Sequence, residues 1–221
     1  MPQRRLLDTT QLFASMPPEV LESLRDQAKV QNFPKGSNLF TEGDTATELF
    51  VVVEGRIAIA TQASDGRETL VAVMETGGLF GELGAFDDQP RSADARALVD
   101  SQVIAIPYEA VRREFEQHPE LLWLIVRLLA QRLRATDEAL ADSVFLDVPA
   151  RTAKRLLELA GERDEFQLPM TQEDLAGLVG ASRERVNKAL AMFTRLGWIE
   201  TVGRANYRIL DRESLAQRAE Q

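Results

Sequence analysis

Hydrophobic positions along the chain change their period twice. Over residues 7–28 they recur at helical steps, with Leu21, Leu24 and Ala28 in line and Met16-Pro17-Pro18 marking a break. Over 30–107 they gather into short runs rich in Val, Ile and Phe, cut by Gly36, Gly43, Gly55, Gly66 and Gly77-Gly78. That texture predicts an antiparallel sandwich or roll, with its clearest strands at 49–53, 57–60, 70–74 and 103–107 and a hairpin turn at Ser64-Asp65-Gly66-Arg67. From Pro119 to Phe145 there is no glycine and no further proline, and Leu122, Ile125, Leu129, Leu133, Thr136 and Leu140 recur at steps of three and four. This spacing predicts a long helix with a coiled-coil seam. Leu121, Leu124 and Leu128 add a second apolar line, so one flank can cover the strands while the other meets a partner helix, most simply a second copy.

Beyond that helix the punctuation becomes dense. Asp147 is placed to cap a helix over 150–160, with Pro149 tolerated in its first turn and Gly161 ending it. A charged loop at 162–165 leads to a short strand, 166–168. Thr171 then caps a helix running through Leu175 to Leu178, Gly180-Ala181 makes a turn, and Ser182 caps a helix reaching Leu196-Gly197. Residues 198–202 and 207–210, joined at Gly203, read as a β-hairpin. Helix, turn, helix and hairpin in that order form a winged helix-turn-helix. The predicted fold class is α+β: residues 1–118 form the β-roll with N-terminal helices, 119–146 the long helix and hinge, and 147–221 the winged module.

At roughly 150 residues per domain, 221 residues make about one and a half, so one large domain or two smaller ones are expected. The absence of cysteine removes disulfides, thiolate zinc sites, thiol catalysis and cysteine-ligated iron–sulfur clusters. His118 is the only histidine, which leaves a multi-histidine metal site without ligands, although an all-carboxylate site for a hard cation stays open. His118 itself reads as an exposed residue at a helix start. No apolar stretch approaches a membrane span, and residues 1–8 lack the apolar core of a secretion signal, so a cytoplasmic protein is expected.

The net charge of −9 argues against nonspecific attraction to nucleic acid. Its distribution changes that picture, because residues 182–212 carry seven basic side chains against three acidic ones. In a helix-turn-helix the N-terminal residues of the second helix meet base edges in the major groove. Here those are Ser182, Arg183, Glu184 and Arg185, followed by Lys188, with Thr171 at the start of the first helix counted among the DNA contacts. Arg183 can reach guanine O6 and N7 bidentately, Glu184 can accept from the cytosine amine, and Lys188 can reach a further guanine or a phosphate. A carboxylate would repel phosphates, so Glu184 amid arginines points to base readout; the competing reading is an ordinary surface pair of Glu184 with Lys188. Trp123 and Trp198 read as packing residues.

A second constellation is Phe80-Gly81-Glu82-Leu83-Gly84 followed by Pro90-Arg91-Ser92-Ala93. Glycines let the backbone approach an anion, Arg91 offers a fork for phosphate, Ser92 offers a hydroxyl, and Glu82 can accept from a sugar hydroxyl. Together they suit a sugar phosphate, while two loops joined by a plain Arg–Glu ion pair would explain them equally well.

The order of parts, with Gly81-Glu82-Leu83, Arg91-Ser92-Ala93, Arg132-Leu133 through Thr136, Phe145-Leu146-Asp147-Val148 and Leu178-Val179-Gly180-Ala181-Ser182-Arg183-Glu184, closely resembles the cyclic-AMP receptor (catabolite activator) family of bacterial transcription regulators. The resemblance implies a homodimer on double-stranded palindromic DNA with TGTGA-like half-sites, an allosteric cyclic AMP ligand, no cofactor, and RNA polymerase as a partner. It implies that Arg91, Ser92 and backbone amides near Leu83 hold the cyclic phosphate and that Glu82 takes the ribose 2′-hydroxyl, supported by Arg132. Thr136 would meet the adenine amine, joined by Asp137 from the other subunit. The family more often has serine or asparagine at Asp137. A carboxylate there accepts from the adenine amine, yet it also suits the N1–H and N2–H of guanine, which leaves cyclic GMP as an alternative. Lys188 replaces a frequent arginine and softens base discrimination, and Arg185 is read as a phosphate contact. A constitutive regulator, or one answering to cyclic di-GMP, is the other reading of the same fold. Haem and iron–sulfur relatives lack their ligands here. Asp87, Asp88 and Glu82 come without a metal constellation or a partnered nucleophile, so no enzyme activity is expected.

Overall fold

The computed structural model describes residues 7, 10, 12–62, 68–168, 170–203 and 206–220; the turn read at 64–67 and Arg204 in the wing lie outside them. The chain is α+β, as the pattern predicts, and divides into two compact units, 1–133 and 134–221.

In the first unit eight strands form two four-stranded antiparallel sheets. One sheet runs in the order β1 (Lys29–Phe33), β8 (Ser101–Pro107), β3 (Glu48–Glu54), β6 (Leu79–Phe80). The other runs β2 (Asn38–Phe40), β7 (Asp94–Ala97), β4 (Ile57–Gln62), β5 (Glu68–Met74). The period of two explains why β3 and β8 read as unbroken apolar runs. Leu49, Val51, Val53, Ile104 and Ile106 face a helical layer, whereas Phe50, Val52, Val103 and Ala105 face the opposite sheet. The helical layer comprises α1 (Pro18–Gln27), α3 (Tyr108–Gln117) and the start of α4 (Leu122–Phe145), with a short 3-10 turn at Phe13–Ser15 before Pro17-Pro18. A single-turn helix, α2 (Gly84–Asp87), follows β6. His118 sits between α3 and a 3-10 turn at Pro119–Leu121, partly exposed, with Nδ1 3.5 Å from Glu120.

The flank of α4 that packs against this core is Leu124, Ile125, Leu128 and Leu129, with Leu121 of the preceding 3-10 turn beside it. Ile125 and Leu129, read from the sequence as seam residues, therefore belong to the inner stripe, because the stripe is two residues wide per turn. Leu122, Val126, Leu133, Leu140, Val144 and Phe145 remain exposed, as does Trp123 at 71%. Trp123, expected to pack, is left uncovered by the described residues. No helix among the described residues is long and apolar enough to cross a membrane.

The second unit carries α5 (Val148–Ala160), α6 (Gln172–Val179), α7 (Arg183–Arg195) and a three-stranded sheet of order β10 (Ile199–Thr201), β11 (Asn206–Ile209), β9 (Glu165–Gln167). A last helix, α8 (Arg212–Ala219), packs on α5. Trp198 stacks on Phe193 with ring centroids 5.6 Å apart. Arg151 donates to the Leu146 carbonyl at 2.7 Å and to the Val179 carbonyl at 2.9 Å, tying the end of α4 to the end of α6.

Asp147 caps α5 through the Ala150 N–H at 2.9 Å and receives Arg218 Nη2 at 2.6 Å on both oxygens. Burial alone would raise this carboxyl, but the Ala150 hydrogen bond and the Arg218 guanidinium outweigh it and hold the group below the usual carboxylate range. A lowered carboxylate stabilises the fold above its unfolded-state pKa, about 3.9, and that contribution fades as pH falls through the folded value. Asp147→Ala is thus expected to cost the second unit about 1 kcal/mol at neutral pH in urea unfolding, with the difference from the parent chain closing below about pH 4.

Candidate functional site

Two places among the described residues gather polar side chains whose chemistry suits binding. The first is a cavity of about 90 Å³ in the β-roll, with an apolar side of Phe40, Ile59, Met74 and Phe80 and a polar side of Gly81, Glu82, Arg91, Ser92 and Arg132. Leu83, Gly84, Pro90 and Ala93 also line it, so the whole constellation singled out in the sequence for a sugar phosphate meets here, joined by Arg132.

Arg91 sets the electrostatics of this cavity. Its residue is only 8% exposed, and its guanidinium lies 4.1 Å from the centroid of Phe40, 5.4 Å from that of Phe50 and 5.8 Å from that of Tyr108. Phe50 in turn stacks on Phe80 at 5.3 Å and on Phe40 at 5.7 Å, so three π faces shape the box. Nη1 donates to the Gly81 carbonyl at 2.7 Å and to the Tyr108 hydroxyl at 2.9 Å, and Nη2 donates to the Glu48 carbonyl at 2.7 Å. All these partners are uncharged groups, and Nε is buried with no hydrogen-bond partner among the described residues. Burial pushes the guanidinium below its usual pKa, opposed by Tyr108 and the Glu48 carboxylate. A buried cation held by neutral groups carries an unmet demand for an anion.

Gly81 makes room for this arrangement. Its φ is +70°, and a Cβ there would lie 2.7 Å from Arg91 Nη1. Glu82, 1% exposed, pairs with Arg132 Nη1, whose Nη2 donates to the Leu79 carbonyl, so the long helix closes one side of the cavity. Ser92 is exposed at the edge of the lining. Thr136 and Asp137 are exposed on the part of α4 that belongs to the second unit, whereas every lining residue comes from the first. A larger recess of about 540 Å³, lined among others by Thr47, Asp88, Tyr108 and Arg112, is the weaker candidate. Its cation, Arg112, is already matched by Asp88 and by the Ala85 carbonyl at 2.7 Å.

The second place is the exposed face of α7. Val186, Ala189, Leu190 and Phe193 bury one side of this helix, which leaves Arg183, Glu184, Arg185 and Lys188 exposed on the other. Thr171 and Asp174 form a reciprocal capping box at the start of α6. Gly180, at φ +66°, ends α6, and the Ser182 side chain accepts from Arg185 N–H to start α7. Glu184 pairs with Lys188 at 2.7 Å, the surface pairing that competed with base readout in the sequence. That hydrogen bond and the ammonium charge hold the Glu184 carboxyl below its usual range, so it is an ionised acceptor at neutral pH.

Sequence reasoning did not reach Tyr108, Phe40, Phe50 or the Glu48 carbonyl. They come from α3, β2 and β3, and no local spacing links them to Arg91.

Comparison with known proteins assigns a family to each part of the chain. Residues 30–118 match the cyclic nucleotide-binding domain model, and residues 150–218 match the Crp-like helix-turn-helix domain model. The chain is 40% identical over 215 residues to the CRP-like cAMP-activated global transcriptional regulator of Mycobacterium tuberculosis, covering 94% of this chain and 96% of that one. It is 31% identical over 194 residues to the cAMP-activated global transcriptional regulator Vfr of Pseudomonas aeruginosa, covering 83% and 91%. Among solved structures, the c-di-GMP responsive global regulator CLP of Xanthomonas campestris superposes with a TM-score of 0.75 at 25% identity, covering 87% and 99%. The chain belongs to the CRP family of cyclic-nucleotide-responsive transcription regulators.

Proposed function

We propose that the effector is cyclic AMP and that the chain works as a cytoplasmic homodimer on palindromic DNA. The observation that carries the effector class is Arg91, a buried cation with neutral partners and an unpartnered Nε, lining a cavity beside a buried glutamate. The cyclic phosphate takes Arg91, Ser92 and the backbone near Leu83, and Glu82 accepts from the ribose hydroxyl. The volume of about 90 Å³ is well short of the roughly 300 Å³ of an ordinary ligand site, so entry of a whole nucleotide requires the Arg132 side to open. Thr136 and Asp137 carry base selection in this reading. The cAMP-activated relatives favour adenine, and the acceptor-only carboxylate of Asp137 suits its amine.

Residues 119–146 supply dimerisation, supported by the exposed apolar line from Leu122 to Phe145 on α4. Residues 147–221 read TGTGA-like half-sites one helical turn apart, and RNA polymerase is the downstream partner. Nucleotide occupancy shifts the population toward the DNA-binding arrangement. Calorimetry of the purified protein with cyclic AMP, cyclic GMP and cyclic di-GMP, followed by DNA titrations with each, tests the reading. Tight cyclic AMP binding that strengthens DNA affinity supports it. DNA affinity unchanged by every nucleotide overturns it in favour of a constitutive regulator. The second reading, cyclic di-GMP as effector, is favoured by the likeness to the Xanthomonas regulator alone.

A further inference from the structure

We propose that Tyr108 is the positioning residue of the nucleotide pocket, holding Arg91 so that its free edge serves the phosphate; this rests on the cyclic-nucleotide reading above. A guanidinium has five N–H groups. Two, on Nη1, go to the Gly81 carbonyl and the Tyr108 hydroxyl, and one, on Nη2, goes to the Glu48 carbonyl. Nε–H and the second N–H of Nη2 remain, which is the number a phosphate accepts from an arginine fork. Tyr108 also donates its own proton to the Gly81 carbonyl, so hydroxyl, carbonyl and Nη1 close a three-membered ring of hydrogen bonds. Burial raises the Tyr108 phenol above its usual pKa, so it stays protonated and keeps both roles across the neutral range.

Each member of this ring fixes the next. The Gly81 carbonyl has both lone pairs engaged, the hydroxyl both donates and accepts, and Nη1 has no proton left to turn toward another acceptor. The aromatic walls limit tilt of the guanidinium plane, and the ring of hydrogen bonds, together with the Nη2 bond to the Glu48 carbonyl, limits its rotation within that plane. Without the Tyr108 hydroxyl, Nη1 regains a free N–H and the guanidinium can swing between the Gly81 and Glu48 carbonyls. Tyr108 thereby acts on ligand affinity without touching ligand.

The test is a double-mutant cycle on the full-length protein, with Kd for cyclic AMP and cyclic GMP measured by calorimetry for the parent, Tyr108→Phe, Arg91→Lys and the double variant. Tyr108→Phe keeps the buried ring, and a thermal melt reports that the fold is retained. It is expected to weaken both nucleotides by about tenfold, the scale of one hydrogen bond to a charged group. The factor should be the same for both, because they share the cyclic phosphate and differ only in the base. In the Arg91→Lys background the same change should cost less than about twofold, since an ammonium has no planar fork to orient. A general loosening of the roll would instead cost the same factor in both backgrounds, and that outcome overturns the positioning role. Unchanged or tighter binding by Tyr108→Phe overturns it as well. A parent protein that binds neither nucleotide overturns the effector reading itself, a result the variants cannot mimic.

Discussion

Arg91→Ala is expected to keep its fold and lose cyclic-nucleotide affinity by at least about thirtyfold and by as much as several thousandfold. The range is that of truncating one member of a buried, hydrogen-bonded charge pair. The fold survives because two effects oppose each other. Removing the cation relieves a burial penalty, while the Glu48 carbonyl loses a donor and the Gly81 carbonyl retains only Tyr108. Ligand, in contrast, has no substitute: the lining contains one other cation, Arg132, and that is engaged with Glu82. A thermal shift assay reads the difference directly. At a nucleotide concentration of about 100 times the parent's Kd the parent gains about 2.7 kcal/mol of stability, and the variant gains at most about 0.9 kcal/mol. Ser92→Ala, at the exposed edge of the same lining, should cost about tenfold, the worth of one hydroxyl donor to a charged acceptor. An Arg91→Ala protein that binds within about threefold of the parent would remove the phosphate assignment.

Much of this architecture is legible from punctuation. The glycines at 36, 43, 55 and 77–78 divide the roll, and Asp147, Thr171, Gly180 and Ser182 stand at the helix ends where their chemistry predicts them. The strands missing from the sequence reading, β1, β2, β6 and β7, are short or show mixed burial, so their period of two has little room to show. Three helices were also missed, of which α2 is a single turn and too short to show a period. In α3, Tyr108, Val111 and Phe115 do recur at helical steps, but they follow Pro107 at the end of a strand and precede Pro119 by few residues. In α8 only Leu215 is buried, and a helix that hides one side chain leaves no stripe to read.

The candidate site divides the same way. Gly81, Glu82, Arg91 and Ser92 are visible as residue types because each has a chemistry a sugar phosphate needs. What favours an anion beside Arg91 in the proposed reading is that its hydrogen-bond partners are neutral groups, and those come from positions 48, 81 and 108. Such a property belongs to the packing. The α4 stripe shows the same limit from the other side: its periodicity reveals that two apolar lines exist, but only the neighbours decide that Ile125 and Leu129 turn inward.

Arg183→Ala is expected to weaken binding to the cognate site by about 5- to 150-fold, the worth of one bidentate arginine–guanine pair, and to relax base preference at one position. Arg183 and Glu184 are exposed in the first turn of α7, the end of a recognition helix that meets base edges. Glu184 gives the sharper contrast. Its pair with Lys188 lies between two side chains that are 76% and 74% exposed, so solvent and salt weaken it and a base edge can replace it. As an ionised acceptor it repels phosphate on every sequence and is compensated only where an amine donor such as that of cytosine faces it. Glu184→Ala should therefore raise affinity for scrambled DNA while lowering the ratio of cognate to scrambled binding. Arg185→Ala, read as a phosphate contact, should weaken both DNAs alike and reduce the slope of log affinity against log salt by about 0.9. Competition titrations of the three variants on cognate and scrambled duplexes at several salt concentrations separate these roles. If Arg183→Ala and Glu184→Ala shift both duplexes by one common factor, the pair is a solvated surface, and the helix grips backbone without reading bases.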